Sequence, residues 1–284
     1  MIYLITVNYF STDLIAQLLV SIKSTKASNF KLVIVNNSPD DRQIQKLAGV
    51  SVVILEAEQN LGFGAGCNLG LQWVYQQERS AIVWLINPDT TLPEDALIQV
   101  DRFFQNHPEL AIVGTVVDQP NGQPWFTGGQ FMTETGAILT TDRFAHSSNP
   151  DYVPCDWVTG CSMLLNLQQF SSCPQFDQAY FLYYEDVDFC QRYRQVGYSV
   201  GITNLIRVIH QPSSISDRNL SAKFRYSTFS YLLTLERYAG RLALGWRLLR
   251  LAFHALVLLP VQPQIAIAKL QGISTYLKRN RHFE

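Results

Sequence analysis

The chain has 284 residues, 47% of them hydrophobic, which suits one large or two small globular domains and excludes a disordered polymer, a collagen-like repeat or a small disulfide scaffold. Its formal net charge of −1 hides a split: residues 1–217 carry 11 Lys/Arg against 21 Asp/Glu, whereas residues 218–284 carry 11 Lys/Arg and only Glu236 and Glu284. An acidic domain joined to a basic tail points to an anionic partner such as lipid headgroups or nucleic acid and excludes a uniformly charged surface.

From residue 2 to about 117, short apolar runs alternate with longer periodic segments, the pattern of a parallel sheet flanked by helices. The expected strands are Tyr3–Val7, Leu32–Val35, Val50–Leu55, Ile82–Ile86 and Leu110–Val113. Helix grammar opens at Thr12-Asp13 and runs to Ile22, and Pro93-Glu-Asp95 supplies a proline and two acids ahead of a helix over Ala96–Phe104. In such open sheets the loops at the carboxyl ends of strands form the ligand crevice, so Asn8, Asn36-Asn37, Asn60 and Asn87-Pro-Asp89 are expected to converge.

Residues 118–153, rich in Gly, Thr, Pro and Asn, predict hairpins or loops over the sheet. A strand is expected over Trp157–Leu165, a helix over Glu185–Gln195 and an apolar run over Leu205–Ile209. Beyond Asn219 the sequence predicts some forty helical residues, ending near Pro260 and Pro263. The five cysteines, Cys67, Cys155, Cys161, Cys173 and Cys190, form no C-x-x-C pair and read as reduced core residues of a cytoplasmic protein. The N-terminal residues lack a basic leader and run straight into strand-like sequence.

Four features carry chemistry. Asp89 follows an apolar strand and can either hold a divalent cation shared with phosphate oxygens or simply begin a turn. Asn60-Leu-Gly-Phe-Gly-Ala-Gly-Cys-Asn68-Leu-Gly70 places four glycines at the head of a helix running through Gln76, which suits close approach to a phosphate or ribose, or alternatively tight helix packing. It is neither a dinucleotide fingerprint nor a P-loop, for the glycine spacing is wrong and no G-K-[ST] follows. Phe181-Leu-Tyr-Tyr184-Glu-Asp186-Val-Asp188 joins aromatic rings to three acids at a helix start, as a sugar pocket with a general base needs. Asp188 reads instead as a helix-start or structural acid. His210 closes an apolar run and is either a satisfied polar residue or a second metal ligand opposite Asp89.

Taken in order, Thr6-Val-Asn-Tyr9, Val35-Asn-Asn-Ser38, Asn60-Leu-Gly-Phe63 with Gly66 and Asn68, Asn87-Pro-Asp89, Trp157-Val-Thr-Gly160, and Phe181 through Asp188 with a trailing His210 resemble glycosyltransferase family 2 in its rhamnosyltransferase-like branch of bacterial polysaccharide enzymes. The resemblance spans about residues 2–215 and implies a GT-A fold: a Rossmann-like mixed sheet flanked by helices, with a nucleotide-binding half (1–117), an acceptor-binding half (118–217) and a C-terminal basic helical extension (218–284). It implies inverting transfer from a nucleotide diphosphate sugar, dTDP-rhamnose before a UDP-hexose, to a glycan or lipid-linked acceptor. It assigns Asp89 and His210 to Mg²⁺ or Mn²⁺, and Asp186 to the catalytic base. Val7, Asn8, Tyr9, Asn36, Asn60, Gly62, Phe63, Gly66, Asn68 and Asn87 go to the donor nucleotide; Trp157, Thr159, Gly160, Tyr184 and Glu185 go to the acceptor or sugar. Two departures stand out: Asn36 replaces a common Asp, and Phe10 replaces the polar residue that commonly follows Val-Asn-Tyr.

A sugar-nucleotide synthesising enzyme of the same fold would carry a basic Gly-rich signature near the start, whereas Asn8–Ile22 contains no Lys or Arg. A non-catalytic carbohydrate-binding module has no need of Asp89, Asp186 and His210 together, and a glycosidase needs paired carboxylates rather than a metal and a phosphate cradle. In the tail, Leu251–Ala268 is uncharged but interrupted by prolines, His254 and glutamines, so a spanning helix is not expected. Arg237, Arg241, Arg247 and Arg250 interleave with Leu, Trp246 and Tyr238, as in a helix lying on an anionic membrane face or one packed on the catalytic domain. A protein peripheral to the inner face of the cell membrane follows from the first reading, with lipid favoured over nucleic acid.

Overall fold

A computed structural model describes residues 1–25, 29–145, 151–211 and 215–279. In chain order, strands β1 (Ile2–Asn8), β2 (Phe30–Asn36), β3 (Val52–Glu56) and β4 (Ile82–Ile86) alternate with helix α1 (Thr12–Ser24), a 3-10 turn (Arg42–Leu47) and helix α2 (Phe63–Gln77). β5 (Thr90–Thr91), α3 (Ala96–Asn106), β6 (Ile112–Asp118) and β7 (Pro124–Phe126) follow. Next come β8 (Gly129–Met132), β9 (Ala137–Thr140), β10 (Tyr152–Pro154), β11 (Ser162–Asn166), α4 (Glu185–Gln195) and β12 (Val200–His210). Three helices close the chain: α5 (Leu220–Tyr238), α6 (Arg241–Leu258) and α7 (Pro263–Lys278).

The main sheet runs β10-β12-β6-β11-β4-β1-β2-β3, with β5 added to β12 and β7 to β6; β8 and β9 form a separate hairpin. β3, β2, β1 and β4 are parallel neighbours. All seven residues of β1 are buried, as a strand covered by helices on both faces requires. The chain steps outward from β1 to β3, then α2 carries it back across to β4. This reversal opens the crevice above the carboxyl ends of β1 and β4, where Asn8 and Asn87 lie. β11, antiparallel between β4 and β6, and β12, parallel to β6, extend the same sheet across residue 117.

Several boundaries differ from the sequence reading. Val50 is fully exposed in a turn and β3 starts at Val52. β6 starts at Ile112 because a turn closed by the Leu110 N–H on the His107 carbonyl holds the preceding residues. The expected strand over Trp157–Leu165 breaks in two. Trp157 makes only an isolated bridge to Gly129, the backbone turns through Thr159–Cys161, and the strand begins at Ser162, whose N–H donates to the Thr159 carbonyl. The tail is three helices rather than one long run: it breaks at Ala239-Gly240, and Pro263 opens α7 instead of ending a helix, because the first helical turn has no use for its missing N–H. The tail has a small core of its own in Leu232, Ile273 and Tyr276, and α7 approaches α5 closely at Gly272. All five cysteines are free thiols; Cys67, Cys155, Cys161 and Cys190 are buried as core residues, with burial pushing Cys155 up to about 12, whereas Cys173 is only half-buried and lies outside the core proper.

Candidate active site

The strand ends supply a polar floor. Register places Asn8 beside Asn36 and Asn36 beside Glu56 at the ends of β1, β2 and β3. The Asn8 amide donates to Asn36 Oδ1 at 2.9 Å and to Asp41 Oδ2 at 3.1 Å, and the Asn36 amide donates to Glu56 Oε2 at 2.7 Å. The carboxylates that Asn36 lacks are therefore provided by Asp41 and Glu56, neither of which the sequence reading singled out. Their signal lies in strand register and turn geometry, which no contiguous motif encodes. Above this floor Tyr9 and Phe10 are 43% and 52% exposed, with their rings 5.3 Å apart. Phe10 holds a left-handed backbone (φ 48°), pinned by its N–H to Ser38 and by the Arg218 guanidinium donating to its carbonyl. Val7, by contrast, is buried beneath Gly66.

The glycine-rich segment is organised by packing. A Cβ on Gly62, which has φ 82°, would lie 2.0 Å from the Phe181 carbonyl oxygen; on Gly64 it would meet Phe176, on Gly66 Val7, and on Gly70 Ile5. Tight packing of the helix start thus accounts for the spacing. Asn68 is spent in the same cause, since its side chain donates to the Phe176 carbonyl and accepts from the Phe176 N–H. Asn37, expected with Asn36 at the crevice, donates to Asn60 Oδ1 at 2.8 Å and accepts from the Leu61 N–H, which fixes the loop ahead of α2.

At the other side of the crevice, the two-residue strand β5 pairs with the end of β12, His210 opposite Thr90. That pairing brings Asp89 Oδ1 to 3.1 Å from His210 Nε2, and each side chain is only 5% exposed. The second ring nitrogen, Nδ1, is buried without a hydrogen-bond partner among the described residues. Trp125 lies against the histidine, ring centres 5.0 Å apart. One carboxylate and one imidazole are a donor set that suits Mn²⁺ or Mg²⁺ when diphosphate oxygens complete the shell. Among the described residues no group of three or more His, Cys, Asp or Glu side chains is placed to hold a metal by itself, so any ion here depends on a ligand for its remaining contacts.

The turn at Thr159–Cys161 separates this pair from the third group. The Asn87 N–H donates to the Cys161 carbonyl, and on the far side the Gly160 N–H donates to Asp186 Oδ2 at 3.0 Å. Burial and the charges of both Asp89 and Asp186 push the Cys161 thiol well up, so both carboxylates act on this one turn. Asp186 also accepts from the Val187 N–H at 2.8 Å, at the start of α4. Burial raises its carboxyl above the ordinary value against those two hydrogen bonds, which makes it a stronger base once ionised. Phe63 rests on Gly160, where a Cβ would come within 2.8 Å of its ring.

The remaining expected sugar contacts fall elsewhere. Trp157 is 9% exposed, with its indole against Gly129 and Phe126, so it underpins the hairpin and offers no open face. Thr159 is buried, its hydroxyl accepting from the Cys161 N–H. Glu185 is buried against Gly64 and is pushed up to about 8, first by desolvation and then by Asp186, which favours its protonated form. Tyr183 and Tyr184 both hold left-handed backbones (φ 68° and 63°), a costly conformation beside a candidate base. The Tyr184 ring turns toward Tyr231 of α5. Asp188 is fully buried and binds Arg192, Arg237 and Tyr238, which ties α4 to the tail.

A sheet with a strand-end crevice, an acid–histidine pair at one side and a carboxylate at a helix start on the other defines a GT-A glycosyltransferase. Residues 3–166 match the family model described as Glycosyl transferase family 2, and the chain belongs to that family. It is 24% identical over 251 residues to rhamnosyltransferase WbbL of Escherichia coli K12, covering 82% of this chain and 92% of that one. It is 23% identical over 233 residues to the N-acetylglucosaminyl-diphospho-decaprenol L-rhamnosyltransferase of Mycobacterium tuberculosis, covering 73% and 76%. Among solved structures, a mannosyltransferase from Pyrobaculum calidifontis in complex with GDP-Man and Mn²⁺ superposes with a TM-score of 0.57 at 13% identity, over 98% of this chain and 87% of that one. GalNAc-T7 with UDP, GalNAc and Mn²⁺ superposes at 0.59 and 12% identity; the chain covers half of its length. The protein is therefore a glycosyltransferase of glycan or polysaccharide synthesis.

Proposed function

We propose that the enzyme transfers a sugar, rhamnose from dTDP-rhamnose before a hexose from a UDP donor, with inversion to a glycan or lipid-linked acceptor. The observation that carries this reading is the Asp89–His210 contact, built by the β5–β12 pairing and facing Asp186 across the Thr159–Cys161 turn. Asp89 and His210 would hold a divalent ion, Mn²⁺ or Mg²⁺, which when bound neutralises charge on the leaving diphosphate. Asn8 and Asn36, oriented by Asp41 and Glu56, line the nucleoside end, and Tyr9 and Phe10 offer it exposed rings. Asp186 takes the proton from the attacking acceptor hydroxyl while the Gly160 and Val187 N–H groups hold its carboxylate in place. One base suffices for single displacement, which gives inversion. Preference for rhamnose rests on the Escherichia and Mycobacterium relatives. Residues 1–217 form the catalytic part and 218–284 a basic helical tail, peripheral to an anionic membrane; no helix of the described residues is long and apolar enough to cross one.

The test is nucleotide release and binding with dTDP-rhamnose, UDP-hexoses and GDP-mannose, with Mn²⁺, Mg²⁺ or EDTA. The account expects metal-dependent binding of a nucleotide sugar that Asp89→Asn and His210→Ala both weaken. Equal binding in EDTA, or in both variants, removes the metal role.

A further inference from the structure

Among the three tail helices, with Tyr184 as its one lining residue from the catalytic part, lies a cavity of about 370 Å³ lined also by Tyr231 of α5, Arg247, Arg250 and His254 of α6, and Lys269 of α7. Tyr184 immediately precedes Glu185 and Asp186, so the one point at which the cavity meets the catalytic part is the residue next to the base-bearing helix. Three cations face it and no carboxylate lines it. Among the described residues none of Arg247, Arg250 or Lys269 makes an ion pair, so no side-chain carboxylate neutralises the charge they bring to the cavity. Arg247 has one anchor, donating to the Thr135 carbonyl at 2.9 Å, and Lys269 sits 5.3 Å from the centre of the Phe224 ring. Burial holds the Lys269 ammonium below its ordinary value, a penalty that a bound anion would relieve.

The outer face of α6 supplies a second observation. Leu242, Trp246, Leu249, Phe253, Leu256 and Val257 are all more than half exposed. Their spacing of three and four residues places them on one stripe of the helix. Arg247, Arg250 and His254 fall on the adjoining stripe, which turns into the cavity, so Arg250 stands where the apolar strip meets the cationic one. Large apolar side chains exposed in a row beside cations match an amphiphile with a hydrocarbon chain and an anionic head.

We propose that this cavity binds the diphosphate of a lipid-linked acceptor, with the lipid chain following the α6 stripe into the bilayer and the sugar presented past Tyr184 to Asp186. The inference rests on the transferase reading above and adds to it a phosphate site on the acceptor side of the base, distinct from the Asp89–His210 end that serves the donor. The basic tail then supplies the counter-charge that an acidic catalytic part lacks for this substrate.

The test measures binding of farnesyl diphosphate to the full chain in EDTA, which silences a metal-dependent donor site, alongside pyrophosphate, farnesol and phosphatidylglycerol vesicles as competitors. Arg250→Gln, at an exposed position, and Lys269→Gln are each expected to weaken farnesyl diphosphate binding about tenfold, as loss of one charge-assisted contact does, whereas Arg250→Lys retains most of it. Farnesol is expected to bind more weakly than the diphosphate. Equal binding by wild type and both glutamine variants overturns the proposal, as does displacement by phosphatidylglycerol as effective as by farnesyl diphosphate itself, which would make the cavity a headgroup site. Nucleotide-sugar binding with Mn²⁺, measured in the same samples, separates the two readings. Its absence in wild type sinks the transferase reading, while its retention alongside unchanged farnesyl diphosphate binding sinks only the cavity.

Discussion

Asp188→Ala tests how the tail is joined to the catalytic helix. The carboxylate is fully buried and accepts from Arg192 Nε at 2.8 Å, Arg237 Nη1 at 2.7 Å and the Tyr238 hydroxyl at 2.7 Å. Truncation leaves two guanidinium groups facing a cavity. A fully buried broken pair costs about 3–5 kcal/mol, but the side chains of Arg192 and Arg237 are 33% and 30% exposed and can recruit water, which places the loss near the lower figure, about 3 kcal/mol. Arg237 also keeps Asp177 at 2.7 Å, which limits the damage further. For a chain of this size that corresponds to a fall in Tm of about 5 °C. Asp188→Asn, which keeps the shape and an acceptor for Tyr238, is expected to cost about 2 kcal/mol. Urea and thermal denaturation of the three proteins provide the assay. An Asp188→Ala variant within about 0.5 kcal/mol of wild type would mean that Asp188 is not the link between α4 and α5.

Two further substitutions probe the site's framework. Gly62→Ala would drive a Cβ into the Phe181 carbonyl oxygen at a left-handed backbone position, so it is expected to lower stability by more than about 3 kcal/mol and to abolish nucleotide-sugar binding, read by denaturation and titration. Normal binding there would refute the packing account of the glycine segment. Burial and Asp186 push the Glu185 carboxyl up to about 8 in the folded state, from an ordinary value of 4.5 in the unfolded chain. The unfolded state therefore binds fewer protons across that window, and the contribution of Glu185 to stability, full below it, is lost as pH rises through the folded value. Glu185→Gln is expected to flatten the fall in Tm between about pH 5 and pH 9, and an unaltered Tm profile would contradict the assignment.

How much of this was legible in the sequence depends on whether a signal is local. β1 and β4 stand out as apolar runs because parallel strands are buried on both faces; Asp186 and His210 stand out because they lie at the start of α4 and the end of β12, and Asp89 because it sits in the short turn after β4. Asp41 and Glu56 did not, since Glu56 reaches Asn36 only through the β2–β3 register and Asp41 reaches Asn8 across a turn. The glycines at 62, 64, 66 and 70 read equally well as a ligand cradle or as packing, and only their neighbours Phe181, Phe176, Val7 and Ile5 decide it. Trp157 resembled a sugar platform from its motif, yet Gly129 and Phe126 cover its faces. Pro263 reads as a helix stop or a helix start with equal right. The partition of the tail's arginines could not be read from spacing alone: Arg237 is committed to Asp177 and Asp188, whereas Arg247 and Arg250 face a cavity.

The central claim is that Asp186 is the base for a metal-assisted transfer whose donor binds at the opposite side of the Thr159–Cys161 turn. The most direct measurement compares wild type and Asp186→Asn for the rate of sugar transfer and, in parallel, for Mn²⁺-dependent binding of the nucleotide sugar. The account predicts transfer reduced about a hundred- to ten-thousandfold, with donor affinity held within about twofold, and in wild type a rate that rises with pH as the raised carboxyl ionises. Transfer at the wild-type rate in Asp186→Asn, or a rate that falls across the same pH range, would contradict it.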